Sequence, residues 1–262
     1  MLPKITLPGG EIISLGYATS ITAAAEKDSL FTKAAVSTVL PPSFDLRAHA
    51  PPVLNQGQLG SCVLNALSGA WRYMSKKSFV PSRLFGYLTA RANEGCQSYD
   101  AGCTIMSAMK QGMVKGCCSE ADWPYIEDKL TTKPPNKLYT AALKHKITKR
   151  CCLAGDKAED IKRALLLKFP VIVGVRIFSS FLNPGCIYDG LIPVVDTHTD
   201  IMLGGHAMVI FAYDDHDADG GVFHVLNSWG TKYGRAGWFR MPYACLQRML
   251  AESWVVQEVV DN

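Results

Sequence analysis

The chain has 262 residues, 48% hydrophobic and 19% charged, with a formal net charge of +4. That is apolar material for one large core or two modest ones, and too little charge for a largely disordered protein. The weak positive balance argues for no nucleic-acid partner, and no apolar run reaches the length of a membrane span.

Residues 1–40 stand apart from the rest. They lack tryptophan and cysteine, and Ala18 to Val39 is rich in alanine, serine and threonine. Met1 to Gly10 holds no continuous apolar stretch of the secretory kind, which leaves the compartment open. Two readings stand for this arm: a disordered or loosely docked leader, or a segment that blocks a cleft.

Beyond it, Asn55-Gln56-Gly57-Gln58-Leu59-Gly60-Ser61-Cys62 leads into a stretch where Val63, Leu64, Leu67, Ala70, Trp71 and Met74 recur at helical spacing. The spacing predicts a helix from Ser61 to Lys77 with Cys62 at its start. A thiol there meets unpaired backbone N–H groups and the positive end of the helix dipole, both of which favour the thiolate. The Gln56 side chain offers a donor to the oxygen that becomes negative when a thiolate attacks a carbonyl. Nucleophile and oxyanion donor in one segment point to acyl transfer.

Leu84, Phe85, Leu88 and Ala92 predict a second helix over 82–93, and 104–115 reads as a third. The looser stretch 125–139, with Pro134-Pro135, reads as a crossing between lobes. Lys144-His145-Lys146-Ile147-Thr148-Lys149-Arg150 reads as a solvated helix end. Asp156-Lys157-Ala158-Glu159 has capping-box spacing and opens a helix ending near Phe169. After Pro170, Val171 to Ile177 is a β-branched strand. Strands around His206 and His224, then Gly237 to Met241 and Trp254 to Gln257, complete an antiparallel β lobe.

A cysteine nucleophile needs a histidine partner, oriented by a third group. Of six histidines, His206 follows Gly204-Gly205 into an apolar strand, and Asn227 ends the next strand 21 residues on, before Ser228-Trp229-Gly230. Asn227 there accepts from the imidazole and fixes its tautomer, and Trp229 shields the bond. The order cysteine, histidine, asparagine and its separations fit those described for papain-like enzymes. His198, between Asp196 and Asp200, lacks the strand context. Asp215 to Gly220 imitates half a calcium loop, but Leu226 stands where the glutamate belongs, so it reads as a polar hairpin turn.

Cys62 aside, Cys96, Cys103, Cys117, Cys118, Cys151, Cys152, Cys186 and Cys245 read as reduced, partly buried thiols with one or two bridges. Neither adjacent pair has the two-residue gap of a zinc knuckle, so no metal and no cofactor is expected.

In Pro42-Ser43-Phe44-Asp45-Leu46-Arg47, the Gln56 to Cys62 block, Gly205-His206-Ala207, Asn227-Ser228-Trp229-Gly230-Thr231 and Tyr233 to Pro242, the chain resembles papain-family cysteine peptidases over residues 40–262. Pro81-Ser82-Arg83-Leu84-Phe85 and Trp123-Pro124-Tyr125 resemble the bacterial and large-virus branch. The resemblance implies an α+β two-lobe fold, with a helical lobe (about 55–125) and an antiparallel β-barrel-like lobe (about 155–260) flanking a cleft. It implies Cys62 as nucleophile, His206 as general acid/base, Asn227 as orienter, and Gln56 with the Cys62 N–H as oxyanion donors. Gly102 would lie along the substrate strand, Trp229 would join the substrate-binding residues, and residues 1–40 would be a short propeptide. A monomer acting on protein or peptide substrates follows, most simply as an endopeptidase; a transamidase, deamidase or isopeptidase shares the same thioester. Leu59 and Val63 depart from the family's cysteine and aromatic at those places, which affects disulfide pattern and substrate preference more than reaction type.

Overall fold

The computed structural model describes residues 1–19, 39–76, 79–153, 157–196 and 198–261. The chain opens with a hairpin of β1 (Lys4–Thr6) and β2 (Ile12–Ser14), with Ile5 opposite Ile13. Pro8-Gly9-Gly10 makes the turn, and Gly10 has a φ of +86°, a left-handed conformation open to glycine. Ile5, Leu7, Ile13, Leu15 and Tyr17 are buried while Lys4, Thr6 and Ile12 are exposed, so the arm lies flat with one face down.

Next come β3 (Ser43–Asp45) and the helical lobe of α1 (Cys62–Met74), α2 (Arg83–Asn93), α3 (Ile105–Val114) and α4 (Asn136–Ala142). Every residue of α1 from Cys62 to Trp71 is buried, because the helix lies between α2 and α3 on one side and the sheet on the other. Two of its buried polar side chains find partners: Asn65 Nδ2 donates to Ser61 O (3.0 Å) and Ser68 Oγ to Pro81 O (3.1 Å). Ser82 and Thr104 cap the next two helices, accepting from Phe85 N (3.2 Å) and Ser107 N (3.0 Å).

The second lobe comprises β4 (His145–Cys152), α5 (Lys157–Leu166), β5 (Val171–Phe178), β6 (Met202–Asp214), β7 (Val222–Leu226), β8 (Trp238–Pro242), α6 (Tyr243–Met249) and β9 (Leu250–Asp261). The sheet is antiparallel, in the order β4-β9-β5-β6-β7-β8, with β3 also paired to β6. The result is the expected α+β two-lobe fold.

Two local readings change. The basic run Lys144 to Arg150, read as a helix end, is mostly edge strand β4: Ile147 and Cys151 turn inward while Thr148 and Lys149 face solvent, so charge guards an edge. The β lobe therefore begins near residue 145. The cap proposed at Asp156 lies outside the described residues, although a helix does begin at Lys157. All nine cysteines are unbridged. Asp215 to Gly220 forms the β6–β7 turn, its carboxylates held by Lys162 (Asp215, 2.6 Å) and Arg240 (Asp217, 3.1 Å; Asp219, 3.0 Å).

Candidate active site

Cys62 is the first residue of α1 and is completely buried. Ser61 does not cap the helix with its side chain; its hydroxyl is shared with Tyr125 (2.5 Å). The N–H groups of Cys62 and Val63 therefore remain available to the sulfur and favour its thiolate, as does the N–H of Ala207 from β6. That last contact ties the sulfur to the strand residue directly after His206.

His206 Nε2 lies 2.7 Å from Asn227 Oδ1, which also accepts from Ser228 N at 2.8 Å. The backbone N–H identifies that Asn227 atom as the oxygen, so Nε2 carries the hydrogen and Nδ1 holds the lone pair in the neutral ring. Nδ1 is buried without a hydrogen-bond partner among the described residues. The Trp229 indole covers this pair, its centroid 5.0 Å from the imidazole.

Gln56 is equally constrained. Ser228 Oγ donates to its Oε1 (2.8 Å), which turns Nε2 toward the carbonyls of Leu59 (3.0 Å) and Ser14 (3.1 Å). Tyr125 OH donates to the Gln56 carbonyl (2.7 Å), while Arg83 lies over the Tyr125 ring (4.1 Å) and donates to Asn55 O (3.0 Å) and Asn65 Oδ1 (2.9 Å). The oxyanion-type donor is thus fixed by a polar frame on both flanks.

The arm runs through this site. Ser14 O takes the Gln56 donor, the Gly16 N–H favours the Cys62 thiolate, and Tyr17 N donates to Gly205 O (3.1 Å). Gly16 O accepts from Cys103 N (2.9 Å), and Ala18 N donates to Cys103 O (3.2 Å). Gly16 passes between Gly60 and Gly102: a Cβ added at Gly16 would fall 1.8 Å from Gly60 O, and one at Gly102 would fall 2.1 Å from Gly16 O. Asp100 ties both walls together, accepting from Gly60 N (3.0 Å) and from Tyr87 OH, which itself accepts from Gly102 N (2.9 Å).

This cover removes water from the reacting groups. Burial pushes the Cys62 thiol up to about 11, against the favourable N–H groups. It pushes the His206 imidazole down to about 4, against the Asn227 bond, which supports the charged ring. With the arm in place both groups are neutral across the range between those values.

A family model for "Papain family cysteine protease" matches residues 40–255. The chain belongs to the papain family of cysteine proteases. An uncharacterized peptidase C1-like protein of Acanthamoeba polyphaga mimivirus is 33% identical over 237 residues, 83% of this chain and 75% of that protein. A viral cathepsin of Adoxophyes honmai nucleopolyhedrovirus is 28% identical, over 77% of this chain and 57% of its own length. Among solved structures, Xylellain, a cysteine protease from Xylella fastidiosa, superposes with a TM-score of 0.76 at 29% identity, covering 93% of this chain and 91% of the other. A procathepsin B from Trypanosoma congolense shares the fold, with a TM-score of 0.71 at 16% identity over 90% and 84% of the two chains.

In this papain-family protease, His206 pairs with Asn227 (2.7 Å), Gln56 pairs with Ser228 next to Asn227 (2.8 Å), and Cys62 opens α1. Gly102 lines the track followed by the arm. Trp229, expected among the substrate contacts, is only 2% exposed and packs beneath His206 and against Phe181 (5.5 Å), so it shields the histidine and offers no open surface here. His198 stays in its loop, its N–H on Asp196 Oδ1 (2.9 Å). The sequence reading passed over Ser228, Tyr125 and Arg83 as positioning groups, and it passed over the path of the arm. The alternation Ile5, Leu7, Ile13, Leu15, Tyr17 was the available signal for that path: a period-two apolar face has to be covered by something. Among the described residues no group of three or more metal-ligating side chains is clustered, and no helix is long and apolar enough to cross a membrane.

Proposed function

We propose that the chain is an endopeptidase whose Cys62 sulfur attacks the scissile carbonyl, with residues 1–40 serving as an inhibitory segment. In this reading the Gln56 amide and the Cys62 N–H hold the oxyanion. His206, kept in one tautomer by Asn227, takes the thiol proton through Nδ1 and delivers it to the leaving amine. Water then hydrolyses the thioester with His206 as base, restoring the thiol.

One observation carries the proposal. The arm threads an extended backbone past Cys62, with Ser14 on the Gln56 donor and Tyr17 and Ala18 on the far side against Gly205 and Cys103. A track that accepts a chain continuing in both directions suits cleavage within chains rather than at their ends.

The test is digestion of a peptide library by the full chain, by its Gly16→Val form and by Cys62→Ala, with products read by mass spectrometry. Internal backbone cleavage that rises in Gly16→Val and vanishes in Cys62→Ala supports the reading. Products cut only at chain ends, or modified only at side-chain amides, contradict the endopeptidase assignment and favour an exopeptidase or a deamidase or transamidase.

A further inference from the structure

Away from the reacting centre, a cavity of about 390 Å³ opens between the single turn Arg47–His49 and the C-terminal ends of α1 and α5. His49, Tyr73, Met74, Lys76 and Lys168 line it. Cys62 opens α1 and Met74 closes it, so the two lie about 18 Å apart along the helix at a rise of about 1.5 Å per residue. Tyr73 is anchored to the core, its ring edge-on to Phe211 at 5.7 Å.

The two lysines are the informative residues. Each follows a helix in a left-handed conformation, Lys76 with a φ of +53° and Lys168 with a φ of +64°. Lys76 N donates to Tyr73 O (3.0 Å), Lys168 N to Leu165 O (2.8 Å) and Phe169 N to Ala164 O (3.0 Å). The last two bonds make the helix ending whose left-handed place glycine ordinarily takes. A lysine there loses stability that glycine would keep, because its Cβ crowds the following carbonyl. Among the described residues only three that are not glycine have a positive φ, and two of them line this one cavity. A cation at a helix end recovers part of the loss through the helix dipole, but that gain needs neither a cavity nor a second lysine beside it.

Neither ammonium has a hydrogen-bond or ion-pair partner among the described residues, and no acidic side chain is among those lining the space. Met74 and the Tyr73 ring supply apolar surface next to them, and a thioether adapts readily to a ligand's shape. A recess of this volume suits a small molecule rather than a polymer. We propose that the cavity binds a small amphiphilic carboxylate, its head held by Lys76 and Lys168 and its apolar body by Tyr73 and Met74. Two unpaired cations account for the head, and the apolar walls account for the body.

The test titrates the full chain with decanoate, decanol and inorganic phosphate, each followed by calorimetry. Decanoate is expected to bind at least about tenfold more tightly than decanol, as one hydrogen bond to a charged group implies. It is expected to exceed phosphate, which lacks the apolar body, by about tenfold or more. Lys76→Gly and Lys168→Gly should each weaken decanoate binding about tenfold. Their urea midpoints should stay level or rise, since glycine suits both backbone positions, and that result separates lost binding from lost folding. Equal binding of decanoate and decanol, phosphate binding as tight as decanoate, decanoate affinity unchanged in both glycine variants, or no binding of decanoate overturns the inference.

Discussion

Helix α1 and the arm both reach the Cys62 sulfur, yet they are built by different rules. Over its first ten residues α1 is buried on every face. It is held by two helices and the sheet, and it cannot leave without unfolding the core. The arm exposes Lys4, Thr6 and Ile12, buries Ile13 to Tyr17 in succession, and is tied by polar contacts from Glu11 to Tyr233 and Lys232, from Ser14 to Gln56 and Gln58, from Gly16 and Ala18 to Cys103, and from Tyr17 to Gly205 and Glu252. Each of its five buried apolar side chains stabilises docking by about 1.5–3 kcal/mol before the cost of ordering is subtracted. One element is thus part of the core, and the other is held to it by a finite set of contacts.

Substitutions that break the machinery should have the largest effects. Cys62→Ala in the Gly16→Val background should lower peptide turnover by a factor on the order of a thousand or more, with circular dichroism unchanged. Asn227→Ala frees the imidazole to rotate and change tautomer, and kcat should fall by roughly ten- to a hundredfold with a smaller change in KM. Substitutions that lift the cover should act in the opposite direction. Gly16→Val forces a side chain into Gly60 O and should raise the basal activity of the full chain about tenfold or more, the docked fraction falling by about a factor of ten per 1.4 kcal/mol. A change of activity in the same direction for Cys62→Ala and Gly16→Val would remove the distinction between machine and cover. The smallest expected effect lies outside both regions: Thr104→Ala removes the α3 cap and should cost about 1 kcal/mol in urea unfolding, with turnover unaltered.

The helix start at Cys62 and the pairing of His206 with Asn227 were legible because residue types at fixed points of the chain mark them. Cys62 before an apolar helical repeat, glycines ahead of His206, and an asparagine at the next strand end all follow from local pattern. The frame around them was not legible. Arg83, Tyr125 and Ser228 act through partners distant in sequence, such as Tyr125 on the Gln56 carbonyl, and no local period announces such contacts. The Tyr17–Glu252 tie was hidden for the same reason, since it depends on the β9–β5–β6 register that brings Gly174 and Ala207 beside Glu252. The basic run at 144–150 misled because charge density outweighed the inward alternation of Ile147 and Cys151, although an edge strand tolerates charge well. The alternation in the arm was present in the sequence and went unread.

Under the arm sulfur and imidazole are neutral, and the proposed chemistry needs them charged once it lifts. Burial disfavours both charged forms, so the covered thiol reacts as a thiolate only as pH rises toward about 11, and the covered imidazole gains its proton only as pH falls toward about 4. Lifting the arm returns solvent and leaves the helix-start N–H groups in place, which moves the thiol down and the imidazole up. The direct measurement is the rate of iodoacetamide modification of Cys62, mapped by mass spectrometry from pH 4 to 10, in the full chain and in Gly16→Val. The predicted result is slow, alkaline-only modification of the full chain and rapid modification near neutral pH in Gly16→Val that is lost on adding His206→Ala. Identical alkaline profiles in both chains, matching those of the other cysteines, would contradict the account.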